Sequence, residues 1–307
     1  MLICVQTGGV SDELGFERGC GLLRESGFEG IDWNINRAWD QEELRAGKLS
    51  GCIFEKPLPE ILAYYREDLE AIRKNGLAIS QAHAPFPAHI RGVPELEPYA
   101  VEIFKGCIRL CDAVDCNNLI IHGISVSPGE PELSYEDVER LNFRIFEPLI
   151  PLLSETNVTV CLENLFATVD GRHFEGTCSN PQEAVRLIDT LNERAGKECF
   201  GLCLDTGHLN LLRKNIREYV RVLGPRIKAL HIHDNDGSRD EHLMPFTGTV
   251  RWNDFTSALK EVGYTGDLSF ETFNQVKSPR MDAAYIPIFL RAIYGVGEIF
   301  RERIQGI

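Results

Sequence analysis

Eight short apolar runs recur along the chain: LICVQ at 2–6, GIDWN at 30–34, LAISQAH at 77–83, NLIIHG at 118–123, VTVCLEN at 158–164, GLCLDTGH at 201–208, IKALHIHD at 227–234 and DLSFET at 267–272. Each is rich in Val, Ile, Leu or Cys and nearly continuous, the pattern of strands buried on both faces. Between them lie longer stretches with apolar residues at helical spacing, at 58–75, 99–114, 135–155, 181–193 and 216–223. Pro57 and Pro181 fall where a first-turn proline is tolerated. Gly27, Gly76, Gly224 and Gly263 fall at helix-to-strand junctions, where a C-terminal glycine is expected.

Strand and helix thus alternate with no composition break and no linker, which predicts an α/β fold in which one (β/α)8 TIM barrel takes up residues 1–307 as a single domain. An open doubly wound sheet of the Rossmann type would place G-x-G-x-x-G after its first strand, and QTGGVSDELG lacks that spacing.

Composition agrees with a globular chain: 43% of the 307 residues are hydrophobic and 25% charged, enough to build one large core. Lys and Arg number 32 against 46 Asp and Glu, a net charge of −14. Such a field repels phosphodiester backbones, and no basic cluster offsets it, so nucleic acid is not an expected partner. The opening Met1-Leu2-Ile3-Cys4-Val5 has no basic residues before its apolar ones, and no apolar run approaches the roughly 18–20 residues of a membrane span. The expectation is a cytoplasmic protein with no membrane partner.

Ten cysteines are present, but Cys4, Cys161 and Cys203 sit inside apolar strand runs, where thiols behave as small buried hydrophobes. Cys107, Cys111 and Cys116 lie in a helical pattern without a C-x-x-C pair and are expected in the core.

The residues that end the runs are of a different kind. His83 follows the third run, His122 the fourth, Glu163 the fifth, Asp205 with His208 the sixth, His231 with His233 the seventh and Glu271 the eighth. In a TIM barrel the carboxyl ends of the strands converge at one mouth, where the chemistry gathers. One such residue is commonly a cap; six successive strand ends carrying them are not. Carboxylates crowded at one mouth repel one another unless a divalent cation compensates them. Glu163, Asp205, His231 and Glu271, from runs five to eight, would surround one point, with His233 as the alternative to His231. Three carboxylates and an imidazole suit one Mn, Mg, Co or Zn ion without selecting among them. The loop at 234–252, carrying Asp240 and His242, is long enough to serve as a lid.

These stretches resemble the sugar phosphate isomerase/epimerase family of xylose isomerase-like TIM barrels, over nearly the whole chain. The resemblance rests on GFEGIDWN at 27–34, AHAPF at 82–86, LIIHG at 119–123, CLENL at 161–165, DTGHLN at 205–210, ALHIHDND at 229–236, HLMPFTGTVRW at 242–252 and LSFET at 268–272. It implies metal ligands at Glu163, Asp205, His231 and Glu271 and substrate contacts at His208 and His242, the latter where ketose epimerases of this type carry an arginine. His83 and His122 are assigned to the same substrate-binding role.

The endonuclease IV branch of the superfamily offers a second reading, a zinc-dependent AP endonuclease. Its nine ligand positions are matched by His83, His122, Glu163, Asp205, His208, His231, Asp240, His242 and Glu271, although its GAHVS-type opening is replaced by CVQTGGV.

The favoured expectation is a metal-dependent sugar or sugar phosphate isomerase or epimerase acting through an enediolate. Glu163 and Glu271 would be its acid/base pair, His208 would hold a substrate oxygen, and the partner would be a small carbohydrate. The sequence leaves room for a homo-oligomer. No Walker-type loop or basic cradle marks a phosphate site.

Overall fold

The computed structural model describes residues 1–124, 135–277 and 282–307. All eight apolar runs form strands. The order is β1 (Ile3–Gln6), β2 (Gly30–Asn34), β3 (Ala78–His83), β4 (Asn118–Ile121) and β5 (Thr159–Glu163), then a hairpin of β6 (Phe166–Val169) and β7 (Arg172–Glu175), then β8 (Phe200–Asp205), β9 (Ile227–His231) and β10 (Leu268–Phe270). The eight long-range strands lie in the order β10-β1-β2-β3-β4-β5-β8-β9, every neighbour parallel. Ile232 bridges to Phe270 and closes the ring, with its N–H donating to Ser269 O at 2.9 Å and its carbonyl accepting from Glu271 N at 3.1 Å. This is the expected TIM barrel.

Side chains alternate across each strand. Ile3, Val5, Ile31, Trp33, Leu119, Ile121, Val160, Leu162, Leu202 and Leu204 belong to the large core between sheet and helices. The alternate positions face the barrel axis, where Ile120, Cys161, Cys203 and Ala229 form a small separate cluster. Following the inward positions to each strand's carboxyl end gives Gln6, Asn34, His83, His122, Glu163, Asp205, His231 and Glu271. The period of two therefore lifts all the polar strand ends to one mouth above a small apolar plug. All ten cysteines are free and buried, as their surroundings predict.

Several helices differ from the sequence pattern. The stretch 58–75 is two helices, Leu58–Tyr64 and Arg66–Lys74, hinged at Tyr65, whose buried ring packs on Trp33 and Phe54 and whose hydroxyl donates to Ile35 O at 3.2 Å. The stretch 135–155 becomes three pieces because Pro148 and Pro151 cannot donate to an unbroken ladder. The helix Ile286–Gln305 was not anticipated. By length and hydropathy the segment Ala283–Gln305 is apolar enough to cross a bilayer, which corrects the expectation that no run reaches that length. In the fold it turns Leu290, Ile293, Gly297, Phe300 and Ile304 into the core. Gly297 permits the close approach, since a Cβ there would lie 2.7 Å from Ile3 and 3.0 Å from Phe270.

Phe300 is fully buried and its ring meets those of Trp252, Phe255 and Phe270. Removing it opens a cavity between the last helix and the barrel, so Phe300→Ala should cost about 3–5 kcal/mol, read as a lowered urea midpoint. A cost under about 1 kcal/mol would show that this helix does not hold the barrel closed.

Candidate active site

The eight strand ends surround a cavity of about 440 Å³ lined by Gln6, Asn34, His83, His122, Glu163, His208, Asp240, His242 and Glu271, with Phe86, Phe166 and Phe273 forming apolar walls. Its size suits a small ligand. Six of the chain's eight histidines lie in or directly beneath it, at 83, 122, 208, 231, 233 and 242. Each Phe wall rests on a histidine: Phe86 stacks on His122 at 4.4 Å, Phe273 on His242 at 4.2 Å, and Phe166 leans on His208 at 4.9 Å.

Glu163 stands at the centre. Its Oε2 accepts from His122 Nε2 at 3.0 Å and lies 3.7 Å from His83 Nε2, while Oε1 lies 3.3 Å from His231 Nδ1 and 3.4 Å from His208 Nδ1. Burial pushes its carboxyl up, but His231 and His122 outweigh that and hold it well below the usual carboxylate range. Glu271 receives Gln6 Nε2 at 2.6 Å on Oε1 and presents Oε2 to His242 and His231 at 3.4 and 3.5 Å. Burial opposes ionisation there too, yet His231 and His242 bring it down to about 2. Both glutamates are therefore ionised at neutral pH, as bases must be.

Asp205 ends β8 and caps the helix Thr206–Leu211 by accepting from His208 N at 2.7 Å. His233 Nε2 donates to both of its oxygens, at 3.0 and 2.9 Å. Gly207 makes that possible, since a Cβ there would lie 2.0 Å from the His233 ring. Asn164 extends the strand pairing with its side chain, accepting from Asp205 N at 2.8 Å and donating to Asp205 O at 3.0 Å.

The 234–252 loop, expected as a lid, is tied down along its length. Asp234 accepts from the N–H groups of Asn235, Phe246 and Val250 and from Trp252 Nε1, at 2.9–3.0 Å. His242, at φ 47°, donates from Nδ1 to Glu271 O at 3.2 Å and from Nε2 to Asp240 Oδ2 at 2.8 Å. Asp240 Oδ2 also lies 3.5 Å from His208 Nε2. Burial disfavours charge on His208, but Asp205 and Asp240 lift its pKa to about 10, so it stands as an imidazolium donor.

The structure thus gathers Glu163, Glu271, Asp205, His231, His208, His242, His83 and His122 around one cavity. The residues that sequence reasoning missed are Gln6, Asp32, Asn164 and the three Phe walls. Gln6 and Asp32 carried a legible signal, being polar residues within the first two apolar runs.

A divalent cation fits this donor set. The ligand atoms of Glu163, Asp205, His231 and Glu271 all lie within 4.8 Å of one another, and all four residues are buried. His231 Nδ1, buried without a hydrogen-bond partner, faces both Glu163 and Glu271. Against the effect of burial, the surrounding acidic groups raise His231 well above the usual histidine range, and Glu271 and Asp240 do the same for His242. An incoming cation must therefore displace protons, and its affinity should strengthen as pH rises from about 6 to 8. Calorimetric titration in buffers of different ionisation enthalpy should show proton release; pH-independent affinity without release would contradict this arrangement.

Comparison with known proteins agrees with this fold. A family model described as "Xylose isomerase-like TIM barrel" matches residues 20–292. A protein of Sinorhizobium fredii is 27% identical over 286 residues, 84% of this chain and 81% of its own length. The inosose isomerase of Bacillus subtilis is 22% identical over 176 residues, 55% of this chain and 59% of its own length. The crystal structure of a D-tagatose 3-epimerase-like protein superposes with a TM-score of 0.68 at 22% identity, covering 99% of this chain and 100% of that one.

Proposed function

The chain belongs to the xylose isomerase-like TIM barrel family, and from that premise we propose that it is a divalent-metal-dependent isomerase or epimerase of a small sugar. The observation that carries the reading is the placement of two ionised glutamates, Glu163 and Glu271, on either side of His231 at the floor of a sugar-sized cavity. Similarity to an inosose isomerase and to the fold of a D-tagatose 3-epimerase-like protein supports it.

Glu163, Asp205, His231 and Glu271 are the proposed holders of the ion. When bound, a divalent cation supplies charge stabilisation to the substrate's carbonyl and neighbouring hydroxyl oxygens. The chain's own residues do the rest. One of Glu163 and Glu271 takes the proton from the carbon next to the carbonyl, and the other, or the same residue, returns a proton to the resulting enediolate. His208, as an imidazolium, donates to a substrate oxygen, help typically worth roughly 3–4 kcal/mol. His83, His122 and His242 line the cavity as further partners for substrate hydroxyls. Phe86, Phe166 and Phe273 exclude water from the walls, and Phe86 and Phe273 stack on His122 and His242.

Replacing Glu163 or Glu271 by Gln should lower kcat about 10²–10⁴-fold while KM moves little, because the proton transfer exists only in the transition state. With ketohexoses as probes in D₂O, the wild type should place solvent deuterium on the reacting carbon. Product free of deuterium at early times would replace the enediolate route by an internal hydride shift and leave both glutamates as ligands alone.

A second reading is favoured by one observation: His83, His122 and Glu163 also converge within 4.8 Å, as do Asp205, His208 and His233, so the mouth offers donors for more than one ion. That would suit a zinc-dependent phosphodiesterase of the endonuclease IV kind. The net charge of −14 opposes it. An abasic-site duplex incubated with stoichiometric protein and Zn²⁺ should remain intact; nicking that disappears in Glu163→Gln would reverse the order of the two readings.

A further inference from the structure

One buried carboxylate inside the barrel has no part in the proposed chemistry. Asp32, an inward residue of β2, is fully buried. Its Oδ2 lies 3.0 Å from His231 Nε2, across 199 residues of sequence, and accepts from Gln81 Nε2 at 2.8 Å. Gln81 is itself fixed, because the same Nε2 donates to Leu230 O at 3.2 Å. The amide nitrogen thus reaches two acceptors on adjoining elements, which sets its orientation and holds the Asp32 carboxylate against the His231 ring. Asp32 Oδ1 has no partner at all.

Burying a carboxylate in the core of a barrel is costly, and one left with an unsatisfied oxygen more so. Ile or Val would fill the position at lower cost, as Ile120 and Ala229 do elsewhere in the barrel interior. What a carboxylate supplies there and an aliphatic side chain cannot is an acceptor for an imidazole N–H. With Nε2–H committed to Asp32, the remaining nitrogen, Nδ1, faces Glu163 Oε1 at 3.3 Å and Glu271 Oε2 at 3.5 Å and is the one left to bind a cation once its proton is displaced.

We propose that Asp32 is the positioning residue of the metal site: it fixes the His231 ring and its tautomer so that Nδ1 is the metal-facing donor, and Gln81 in turn fixes Asp32. The other donors are held by similar means. His233 orients Asp205, Gln6 orients Glu271 and His122 orients Glu163; His231 is the one imidazole among the four proposed ligands, and there the Asp32 contact decides which nitrogen is left for the ion. Outer partners of this kind typically govern metal affinity by about 10–100-fold.

The inference rests on His231 belonging to the proposed metal site, and the experiment keeps the two claims separate. Zinc alone is the probe, added to apoprotein and followed by calorimetry and by the ¹⁵N shifts of the histidine rings. Asp205→Ala tests the site itself and should abolish tight zinc binding. Asp32→Asn, which keeps the shape but not the charge, should weaken zinc about 10–100-fold while thermal unfolding stays cooperative, and should shift the His231 resonances away from the pattern of a metal-bound Nδ1 with a protonated Nε2. Gln81→Met leaves both Asp32 and His231 in place and should weaken zinc several-fold; it carries the test if Asp32→Asn does not fold. Wild-type zinc affinity in Asp32→Asn alongside loss in Asp205→Ala would overturn the role of Asp32 and leave the site standing. Wild-type affinity in Asp205→Ala would overturn the site.

Discussion

The structure turns on one electrostatic constraint: Glu163, Asp205 and Glu271 are buried together at the mouth of a barrel whose floor is apolar. Carboxylates removed from water in close company cannot all stay ionised unless positive charge is brought to them. The chain answers with histidines rather than lysines or arginines. Imidazoles are short enough to fit between strand ends and can give up their protons when another cation takes over. A lysine or arginine would neutralise the acids permanently and leave nothing for a metal or a substrate to replace.

Much of the surrounding architecture holds this arrangement in place. Asn164 uses its amide to continue the pairing of β5 with β8 just where Asp205 must point into the mouth. Asp234 gathers three backbone N–H groups and an indole, so the loop that delivers Asp240 and His242 is pinned at its base. Gly248 lets this loop close, since a Cβ there would fall 2.1 Å from Asn235 O. The hairpin β6–β7 is fastened to the same loop by His173 Nε2, which donates to Ser238 O at 2.9 Å. The result is a preorganised mouth, which is what electrostatic catalysis requires: donors and acceptors fixed before the substrate arrives.

The three Phe walls add a second property. His122 and His242, stacked against Phe86 and Phe273, each have one face covered by a ring, which lowers the local dielectric and strengthens the charge pairs beside them. A sugar entering the cavity therefore meets polar groups at the strand ends beneath it and apolar rings around the sides, the usual division between orientation and binding area in small-molecule sites.

The sequence alone determined the eight strands, their burial on both faces and the class of residue at six of their ends. Those facts are local: a period of two and a run of β-branched residues are written in neighbouring positions. It did not determine where long helices break: Tyr65, where 58–75 is interrupted, packs its ring on Trp33 of β2, a contact that the local pattern does not encode. Nor did it give the pairings that make the site work. Asp32 meets His231 across 199 residues and Gln6 meets Glu271 across 265. Which inward residues meet depends on strand tilt, stagger and closure of the ring, properties of the whole barrel that no single strand encodes. The residue types were legible as costly groups in greasy runs; only the closed barrel decided which nitrogen faces which oxygen.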